Sequence, residues 1–249
     1  MHCRNKAFAL CLFACVVFLF SSCSTKKKTW FHRQYHNTTA KYNGYFNGNE
    51  SIKYGIKKIT DDFVDDYSTI LPIFKTGNLK ESKKAHPYMD KAIQKGSVVI
   101  QKHSIKIRGK EYCKWIDDNY FMVGKAYFYK GEFDEAIKTF VFIADEYKKS
   151  FISYDALLWL SRCYLEKGDF ASSEAILIDL ENNRKFPEEL EKDYEIITAD
   201  LCLRQGNLPL AKSAILNCLK KHKVGKDKAR LNFILAQIYQ LEEQYGRAS

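Results

Sequence analysis

Two histidines are the residues of this sequence whose spacing first suggests metal chemistry. His32 and His36 are four residues apart, so on a helix both rings would lie on one side. The zinc-protease form of this pair has glutamate directly after the first histidine, but Arg33 stands there and no third ligand is evident. We therefore interpret the two histidines as stacking and hydrogen-bonding partners within an aromatic helix.

Four carboxylates lie within six residues, at Asp61, Asp62, Asp65 and Asp66. A calcium loop alternates its ligands around an invariant glycine, and this cluster has neither the alternation nor the glycine. We interpret it as a solvated helix face, with a surface for a protein partner as the alternative. The sequence also contains no glycine-rich phosphate loop, nucleophile elbow or pair of catalytic carboxylates. It therefore predicts a protein that is not an enzyme and that uses no metal, cofactor or small-molecule substrate.

The sequence around Cys23 predicts a covalent modification. A basic start precedes a continuous apolar run over residues 7–20, and the segment FSSC then ends at Cys23. Fourteen residues are few for a permanent membrane span, so residues 1–22 are predicted to be a cleaved export signal. FSSC resembles a bacterial lipobox, although Phe20 stands where leucine is usual. The resemblance implies acylation of Cys23 and a lipid-anchored tether over 23–29; an ordinary secretory signal and an uncleaved anchor are the alternatives.

The cysteines after this segment predict no chemistry. They are Cys113, Cys163, Cys202 and Cys218, and their spacing matches neither a small disulfide framework nor a zinc site. Cys202 and Cys218 also fall at packing positions of a repeated apolar pattern. We expect four buried free thiols.

The positive charge of the sequence lies in its first half. The formal net charge is +10, and residues 24–112 carry +10 whereas residues 113–249 carry −2. Lys26, Lys27 and Lys28 are placed to contact anionic head groups of a membrane. Because the other basic residues are scattered without a recognised nucleic-acid motif, we expect no nucleic-acid partner.

The second half of the sequence repeats one pattern, which must position any binding surface. Three copies align through Gly131, Gly168 and Gly206, and a fourth copy follows. The intervals between successive starts of the four copies are 37, 38 and 37 residues. Small residues recur at two positions of each copy. They are Gly124, Ser161, Ala199 and Ala236 in the first helix, and Ala136, Ser173, Ala211 and Ala248 in the second. Bulky residues at spacings of three and four accompany them, so each copy predicts two helices packed together.

This pattern resembles the tetratricopeptide repeat, whose period is 34 residues. It departs from that family in three or four extra residues per copy, expected between repeats, and in lysines at 148, 185 and 223 that replace the usual proline. The resemblance implies an all-α fold of tetratricopeptide-like helical hairpins stacked in a superhelical solenoid over 113–249, with the fourth copy truncated inside its second helix. A generic amphipathic helical bundle is the alternative.

Residues 30–112 predict a degenerate helical repeat region. An aromatic helix is expected to about Phe46, followed by a glycine turn at 47–49 and a second helix through about Tyr67. Pro72 interrupts the pattern, and Pro87 is expected to open a further helix. An irregular first unit is typical of the capping end of a repeat array.

The run HNTTAKYNGYFN at 36–47 carries a second resemblance. With NESIKYGI and DDYSTILPIF behind it, residues from about 25 to 75 are similar to the N-terminal region of the SprE/PorW family. These are repeat-bearing outer-membrane lipoproteins of type IX secretion and gliding motility in Bacteroidota. The similarity implies a lipid-anchored, periplasm-facing position that bridges the membrane-associated ring and the translocation channel. Because the fourth copy has no polar capping helix, we expect the chain to be the N-terminal part of a longer array.

The first helices of a tetratricopeptide stack line a concave groove, and the register predicts which residues are exposed in it. These positions combine apolar residues with charges of both signs, which suits a helix or an extended peptide. The residues that we predict to bind a protein partner are Asp118, Phe121, Lys125, Arg162, Asp200 and Gln237. Other positions of this register are Phe128, Asp155, Leu158, Leu165, Asp193, Ile196, Leu203, Arg230, Phe233 and Gln240. The alternative for the apolar residues is that they only cover the neighbouring repeat.

The sequence therefore predicts an outer-membrane-anchored scaffold that binds protein components of the type IX secretion machinery. The alternatives are a glycan- or nutrient-capture lipoprotein of an outer-membrane uptake system and an outer-membrane assembly accessory. A glycan-binding scaffold usually collects aromatic residues on one surface. Most aromatics here, such as Tyr127 and Phe140, fall at packing positions instead.

Overall fold

The computed structural model describes residues 29–76, 79–148, 150–221 and 225–248. The helices are α1 (Trp30–Thr39), α2 (Asn47–Asp62), α3 (Leu79–His103), α4 (Ile116–Lys130), α5 (Phe133–Glu146), α6 (Phe151–Lys167), α7 (Phe170–Glu181), α8 (Glu191–Arg204), α9 (Leu208–Lys221) and α10 (Lys228–Ala248). Short 3-10 turns precede α8 (Glu188–Leu190) and α10 (Gly225–Asp227). No helix within the described ranges is both long and apolar enough to cross a membrane. The predicted signal and Cys23 lie outside these ranges.

A π-helical stretch, π1 (Ala40–Phe46), joins α1 directly to α2, with no non-helical residue between them. The predicted glycine turn at 47–49 is therefore wrong, because Gly48 serves close packing instead of a change of direction. A Cβ atom on Gly48 would lie 2.2 Å from Met122 Sδ of α4. The helix also ends at Asp62, before the predicted end near Tyr67.

The π-helical stretch keeps one row of residues buried along this whole path. His36, Ala40, Gly44, Gly48 and Ile52 recur every four residues, and all five are buried. In an α-helix each four-residue step would rotate the row by about 40°, because a turn takes 3.6 residues. The π-helix bonds residue i to i+5 and is wound more slowly, which compensates for this rotation. The row can then face α3 and α4 continuously.

Helix α3 passes through Pro87, which the sequence pattern expects to begin a helix. The proline lies on the exposed side, whereas Ala85 and Met89 on either side of it are buried. Met89 packs closely on α2, since a Cβ atom on Gly55 would lie 2.5 Å from its Cε. Packing against α2 therefore continues the helix through a residue that would otherwise break it.

A short antiparallel pair, β1 (Lys106–Ile107) and β2 (Lys110–Glu111), connects α3 to α4. Periodicity does not predict this hairpin. Its turn residues Arg108 and Gly109 both have positive φ, 50° and 79°, as two-residue hairpin turns require. The Glu111 carboxylate accepts hydrogen bonds from three nearby backbone N–H groups at 2.8 to 2.9 Å and fixes the approach to α4.

The second half of the chain folds as helical hairpins in the predicted register. Helix α4 pairs with α5, α6 with α7 and α8 with α9, and each hairpin packs on the next. The predicted small sites lie where helices touch: Ser161 and Ser173 are fully buried with their Oγ atoms 2.7 Å apart. A Cβ atom on Gly124 would lie 2.7 Å from the Phe140 ring. The fold is all-α and consists of stacked tetratricopeptide-like hairpins.

The three aligned glycines make the turns within the hairpins. Gly131, Gly168 and Gly206 have φ of 82°, 77° and 75°, a conformation in which glycine avoids a Cβ clash. In each copy the residue after the glycine donates a backbone hydrogen bond, at 2.8 to 3.0 Å, to the carbonyl five residues earlier. The extra residues of each copy lie between hairpins, as predicted; residues 182–190, for example, separate α7 from α8.

The fourth copy differs from the predicted hairpin. Helix α10 continues as one helix to Ala248, so the second helix expected to contain that residue is not formed. Ala236, a predicted packing site, is exposed because no second helix packs on it within the described part of the chain. Instead, Ile234 and Ile238 are buried against α8, α9 and a segment from the first half of the chain.

We predict that Gly44→Ala destabilises the protein. The new methyl group would lie 2.4 Å from Val99 Cγ2 and 2.6 Å from Asn119 Oδ1. Alanine improves helix propensity by about 1 kcal/mol, but overpacking typically costs more, so we expect a net loss of about 1–2 kcal/mol in unfolding free energy. Urea denaturation followed by circular dichroism measures it. The control is Asn43→Ala at the exposed neighbouring position, and equal stability of the two variants would contradict the packing argument.

Candidate functional site

Residues 63–76 lie on the inner surface of the repeats, where the sequence predicts an open groove. We call this stretch the groove segment; it follows α2 and contains no helix or strand. Gln237 of α10 holds its backbone, because the side-chain oxygen accepts from the Leu71 N–H at 3.0 Å and Nε2 donates to the Thr69 carbonyl at 2.8 Å. These bonds use only main-chain atoms of the segment, so the same contact suits any extended peptide.

Arg230 of α10 binds the groove segment at two places. Its Nη1 and Nη2 donate to the two carboxylate oxygens of Asp65 at 3.0 and 2.8 Å, and its Nε donates to the Pro72 carbonyl at 2.8 Å. Lys75 Nζ lies 3.1 Å from the same carboxylate. The Arg230 hydrogen bonds hold the pKa of Asp65 below its usual value, and Lys75 adds to this. One guanidinium thus recognises both an acidic side chain and the backbone seven residues later.

Apolar residues of the groove segment fill the space between the first helices. Leu71 and Ile73 are buried in one cluster with residues of α8, α9 and α10. Burying such side chains stabilises the folded chain by roughly 1.5–3 kcal/mol each. Phe74 lies 4.1 Å from the Arg162 guanidinium, which also stands 4.2 Å from the Trp159 ring. Arg162 is therefore stacked between an aromatic ring of the segment and one of α6.

The structure divides the six predicted binding residues into three groups. Arg162 and Gln237 contact the groove segment. Asp200 forms an ion pair within the repeats, and Asp118, Phe121 and Lys125 lie together on α4. The predicted exposure is wrong for several positions of this register, which neighbouring helices and the groove segment cover. The buried ones are Phe128, Leu158, Leu165, Ile196 and Asp200. Whether a partner protein binds the six residues stays a prediction.

Asp200 belongs to an ion network that joins α6 to α8. Arg204 Nε lies 3.0 Å from its carboxylate, Nη2 lies 2.7 Å from Glu166, and Nη1 donates to the Leu165 carbonyl at 3.1 Å. Burial raises the pKa of Asp200, and Arg204 opposes this shift. Arg204 was missing from the predicted set because its partner Glu166 is 38 residues away, beyond the reach of any local pattern.

The α4 end of the inner surface carries partly buried charges beside aromatic rings. Lys125 Nζ stands 4.9 Å from the Trp159 ring and 5.7 Å from the Phe121 ring. Burial lowers the pKa of Lys125, although the carboxylate of Asp155 opposes this, and burial raises the pKa of Asp118 to about 6. Charged groups that are already partly desolvated lose less hydration when a polar peptide docks on them. This area is therefore suited to a partner of mixed charge.

A cavity of about 400 Å³ adjoins the groove segment. Ile73, Phe74 and Lys75 line one side of it, and Tyr129, Arg162 and Arg230 line the others. The segment therefore leaves part of the inner surface unfilled between α4 and α10.

The rings of His32 and His36 stack along one helix, as predicted, with centroids 6.4 Å apart, and each histidine also has a further partner. His36 Nδ1 lies 2.8 Å from His103 Nδ1 of α3, while His32 Nδ1 lies 3.0 Å from Thr29 Oγ1. A hydrogen bond between two ring nitrogens needs one of them unprotonated, so the pair cannot be doubly charged and keep it. Burial lowers the pKa of both His36 and His103. Among the described residues, no three His, Cys, Asp or Glu side chains converge as metal ligands.

The four clustered carboxylates point to different partners. Asp61 pairs with Lys57, Asp62 with Lys84, and Asp65 with Arg230, while Asp66 accepts from the backbone and hydroxyl of Ser68. They do not form one calcium site. Asp61 and Asp62 lie on an exposed face, as predicted, but Asp65 is largely buried in the groove.

The four predicted thiols are free and buried, as expected. Burial raises the pKa of Cys113 and Cys218 to about 11 and that of Cys163 to about 12. Such thiols are poor nucleophiles at neutral pH.

The prediction that most aromatic residues occupy packing positions does not extend to the N-terminal helices. Tyr127 and Phe140 pack between helices, but a row of aromatic side chains on α1, π1 and α2 is exposed. The distribution of aromatic residues therefore does not disfavour a glycan ligand at the α1–α2 end of the molecule. The spacing of these residues is itself helical, and only the packing of α3 and α4 against the other side shows that the row is exposed.

We predict that Arg230→Ala destabilises the chain more than loss of a surface ion pair does. Both members of the Arg230–Asp65 pair are largely buried, so removing the arginine leaves an unpaired carboxylate and a free carbonyl, at a cost of about 2–3 kcal/mol. The control Lys57→Ala removes an exposed pair within one helix, worth roughly 0.5 kcal/mol. Urea denaturation measures both. Similar losses for the two variants would show that the groove segment contributes little.

We predict that the His36–His103 pair makes the protein less stable as the pH falls below about 6.5, the ordinary histidine pKa. The folded chain holds His36 and His103 at lowered pKa values, so below this pH the unfolded chain binds protons that the folded chain does not. Asp118 and Asp155 act in the opposite direction, because burial raises the pKa of each to about 6. Thermal unfolding between pH 5 and 8 measures the slope.

In this range His103→Gln should remove the loss caused by the pair, so the variant should gain stability relative to the wild type as the pH falls. The control His86→Gln lies on the same helix, about 25 Å away at 1.5 Å per residue, and should not. A slope unchanged by His103→Gln would exclude the histidine pair as its source.

Comparison with known proteins agrees with this geometry. A tetratricopeptide repeat family model matches residues 117–141, which cover all of α4 except Ile116 and the first nine residues of α5. No curated protein sequence matches the chain. Folds of this kind are typically non-enzymatic scaffolds that bind other proteins. The chain therefore contains a tetratricopeptide repeat at residues 117–141 within a stack of similar hairpins, an architecture that suggests a scaffold for protein–protein interaction.

Proposed function

We propose that this chain is a lipid-anchored outer-membrane scaffold that binds protein components of the type IX secretion machinery. The main support for the proposal is that the inner surface binds the extended groove segment through Gln237, Arg230 and Arg162. A surface that forms hydrogen bonds with the backbone of one extended peptide is chemically suited to bind another extended peptide. The sequence similarity of residues 25–75 to the SprE/PorW family supports the choice of machinery, and the sequence at Cys23 supports the anchor.

We place the partner at the α4 end of the inner surface. The contacts of the groove segment lie between Arg162 and Gln237, whereas Phe121 and Lys125 lie beyond Arg162 along the stack. A peptide there would meet the Lys125 ammonium and the Trp159 ring directly. The partly buried carboxylates of Asp118 and Asp155 would accept its donors.

The anchor is tested by Cys23→Ala in cells. We expect the variant to leave the outer-membrane fraction and export of secreted cargo to fall, because an acylated Cys23 would supply the membrane attachment. The control Cys15→Ala changes a cysteine of the apolar run and should preserve both. Outer-membrane fractionation of the Cys23 variant, or normal cargo export after deletion of the gene, would contradict the proposal.

The partner is tested by a photo-crosslinking amino acid at Phe121, with Phe142 on the outer helix α5 as the matched control. We expect Phe121, and not Phe142, to capture components of the secretion machinery. Capture of an outer-membrane transporter, together with glycan affinity in calorimetry, would favour nutrient uptake. Capture of outer-membrane assembly proteins would favour the accessory role.

A further inference from the structure

A row of exposed aromatic side chains runs along the first 33 residues of the helical part. We call it the aromatic face; it consists of Phe31, Tyr35, Tyr42, Phe46 and Tyr54, which are 78%, 63%, 53%, 55% and 61% exposed. Single exposed apolar residues are ordinary, but an ordered row of this size indicates a surface that meets something else. None of these side chains belongs to an apolar cluster of the described core.

The aromatic face lies opposite the buried row of the same path. Its members are separated by four, seven, four and eight residues. Tyr42, Phe46 and Tyr54 each stand two positions from members of the buried row and therefore on the other side of the path. Tyr35 instead flanks that row, with its ring centroid 5.9 Å from that of His103 of α3. The slow winding of π1 that keeps the buried row on one side must keep the aromatic row on the other. Close packing at Gly44 and Gly48 holds the path against α3 and α4, so the rings cannot turn inward.

The shape of this face restricts what can bind it. From Phe31 to Tyr54 it extends roughly 35 Å along a helix at 1.5 Å per residue. It is a convex ridge, whereas sites for small ligands and sugars are concave and enclose most of the ligand. A ridge of this length can instead lie on a flat surface.

The chemistry of the face suits the interface of a lipid bilayer. Tyrosine and tryptophan concentrate at that depth because their rings are apolar and their polar atoms remain hydrated. Lys41 Nζ stands 5.1 Å from the Tyr42 ring and supplies a cation near the middle of the face. The acidic neighbours are already paired, Glu50 with Lys53 and Asp61 with Lys57.

The position of the face in the chain favours the same occupant. Trp30, itself exposed, follows three lysines at 26–28 and stands seven positions after Cys23, the predicted site of the lipid anchor. Even fully extended, seven residues reach at most about 25 Å. Residues 24–112 carry a net charge of +10, which attracts anionic lipid.

We propose that the aromatic face binds the surface of a lipid bilayer, with its rings in the head-group region. The helical path then lies flat on the membrane, and the repeats extend from it through α3 and α4. This contact goes beyond the proposed scaffold function, because it fixes the orientation of the inner surface relative to the membrane to which an acylated Cys23 would tether the chain.

Tryptophan fluorescence of the full chain in vesicles tests the proposal. The chain is reconstituted into phosphatidylethanolamine and phosphatidylglycerol vesicles that contain brominated acyl chains, which quench tryptophan at the interface. Tyr42→Trp places a reporter on the aromatic face, and Tyr239→Trp on α10 is the matched control at a similar exposure of 48%. We expect the emission added by Tyr42→Trp to shift to the blue and lose most of its intensity, and that added by Tyr239→Trp to do neither. Equal behaviour of the two reporters would overturn the proposal.

A photo-crosslinking amino acid at Tyr42 in cells provides a second measurement that does not depend on reconstitution. Because this side chain is exposed, the change should leave the fold intact, which circular dichroism verifies. Crosslinks to phospholipid would support the proposal. Crosslinks to one defined protein, or release of the vesicle-bound reporter by a soluble glycan, would overturn it in favour of that ligand.

Discussion

Leu71 and Ile73 share one apolar cluster with Ile234 and Ile238, although more than 150 residues separate them in the chain. The contact brings the loop after α2 onto the inner surface of the repeats and ties the first half of the molecule to its last helix. Arg230 and Gln237 complete the tie with five hydrogen bonds to the segment. A stack of hairpins normally has contacts only between neighbours. Here the groove segment adds long-range contacts that limit how far the stack can flex.

The groove segment limits where a partner protein can bind on the inner surface. An empty concave surface offers its whole length to a partner, but here the α8–α10 part already holds a peptide of the same chain. The segment shows which chemistry the surface accepts: an acidic residue on Arg230, an extended backbone on Gln237 and an aromatic ring on Arg162. The chemistry of the α4 end differs, because the Lys125 ammonium there lies near the Asp155 carboxylate and the Phe121 and Trp159 rings. A partner is therefore more easily accommodated beside the segment than in place of it.

The packing of the N-terminal helices has consequences on both of their sides. Glycines 44, 48 and 55 let α3 and α4 approach to distances that a methyl group would prevent. The run HNTTAKYNGYFN, which carries the family resemblance, thus has a structural role on its buried side. Its outer side carries Tyr42 and Phe46, which are exposed and do not pack into the described core. Both sides depend on the π-helical winding between Ala40 and Phe46.

The sequence by itself determined the repeats, because glycine turns, small contact sites and bulky partners recur at fixed spacing and their effects are local. It also identified the inner positions of α10, since Arg230, Phe233 and Gln237 all face the groove segment. Only the tertiary structure decided what fills that groove, because Asp65 and Arg230 are 165 residues apart and no periodicity relates them. It likewise decided that Gly48 and Pro87 lie within helices, where packing against α3, α4 and α2 outweighs their local preference for turns and helix starts.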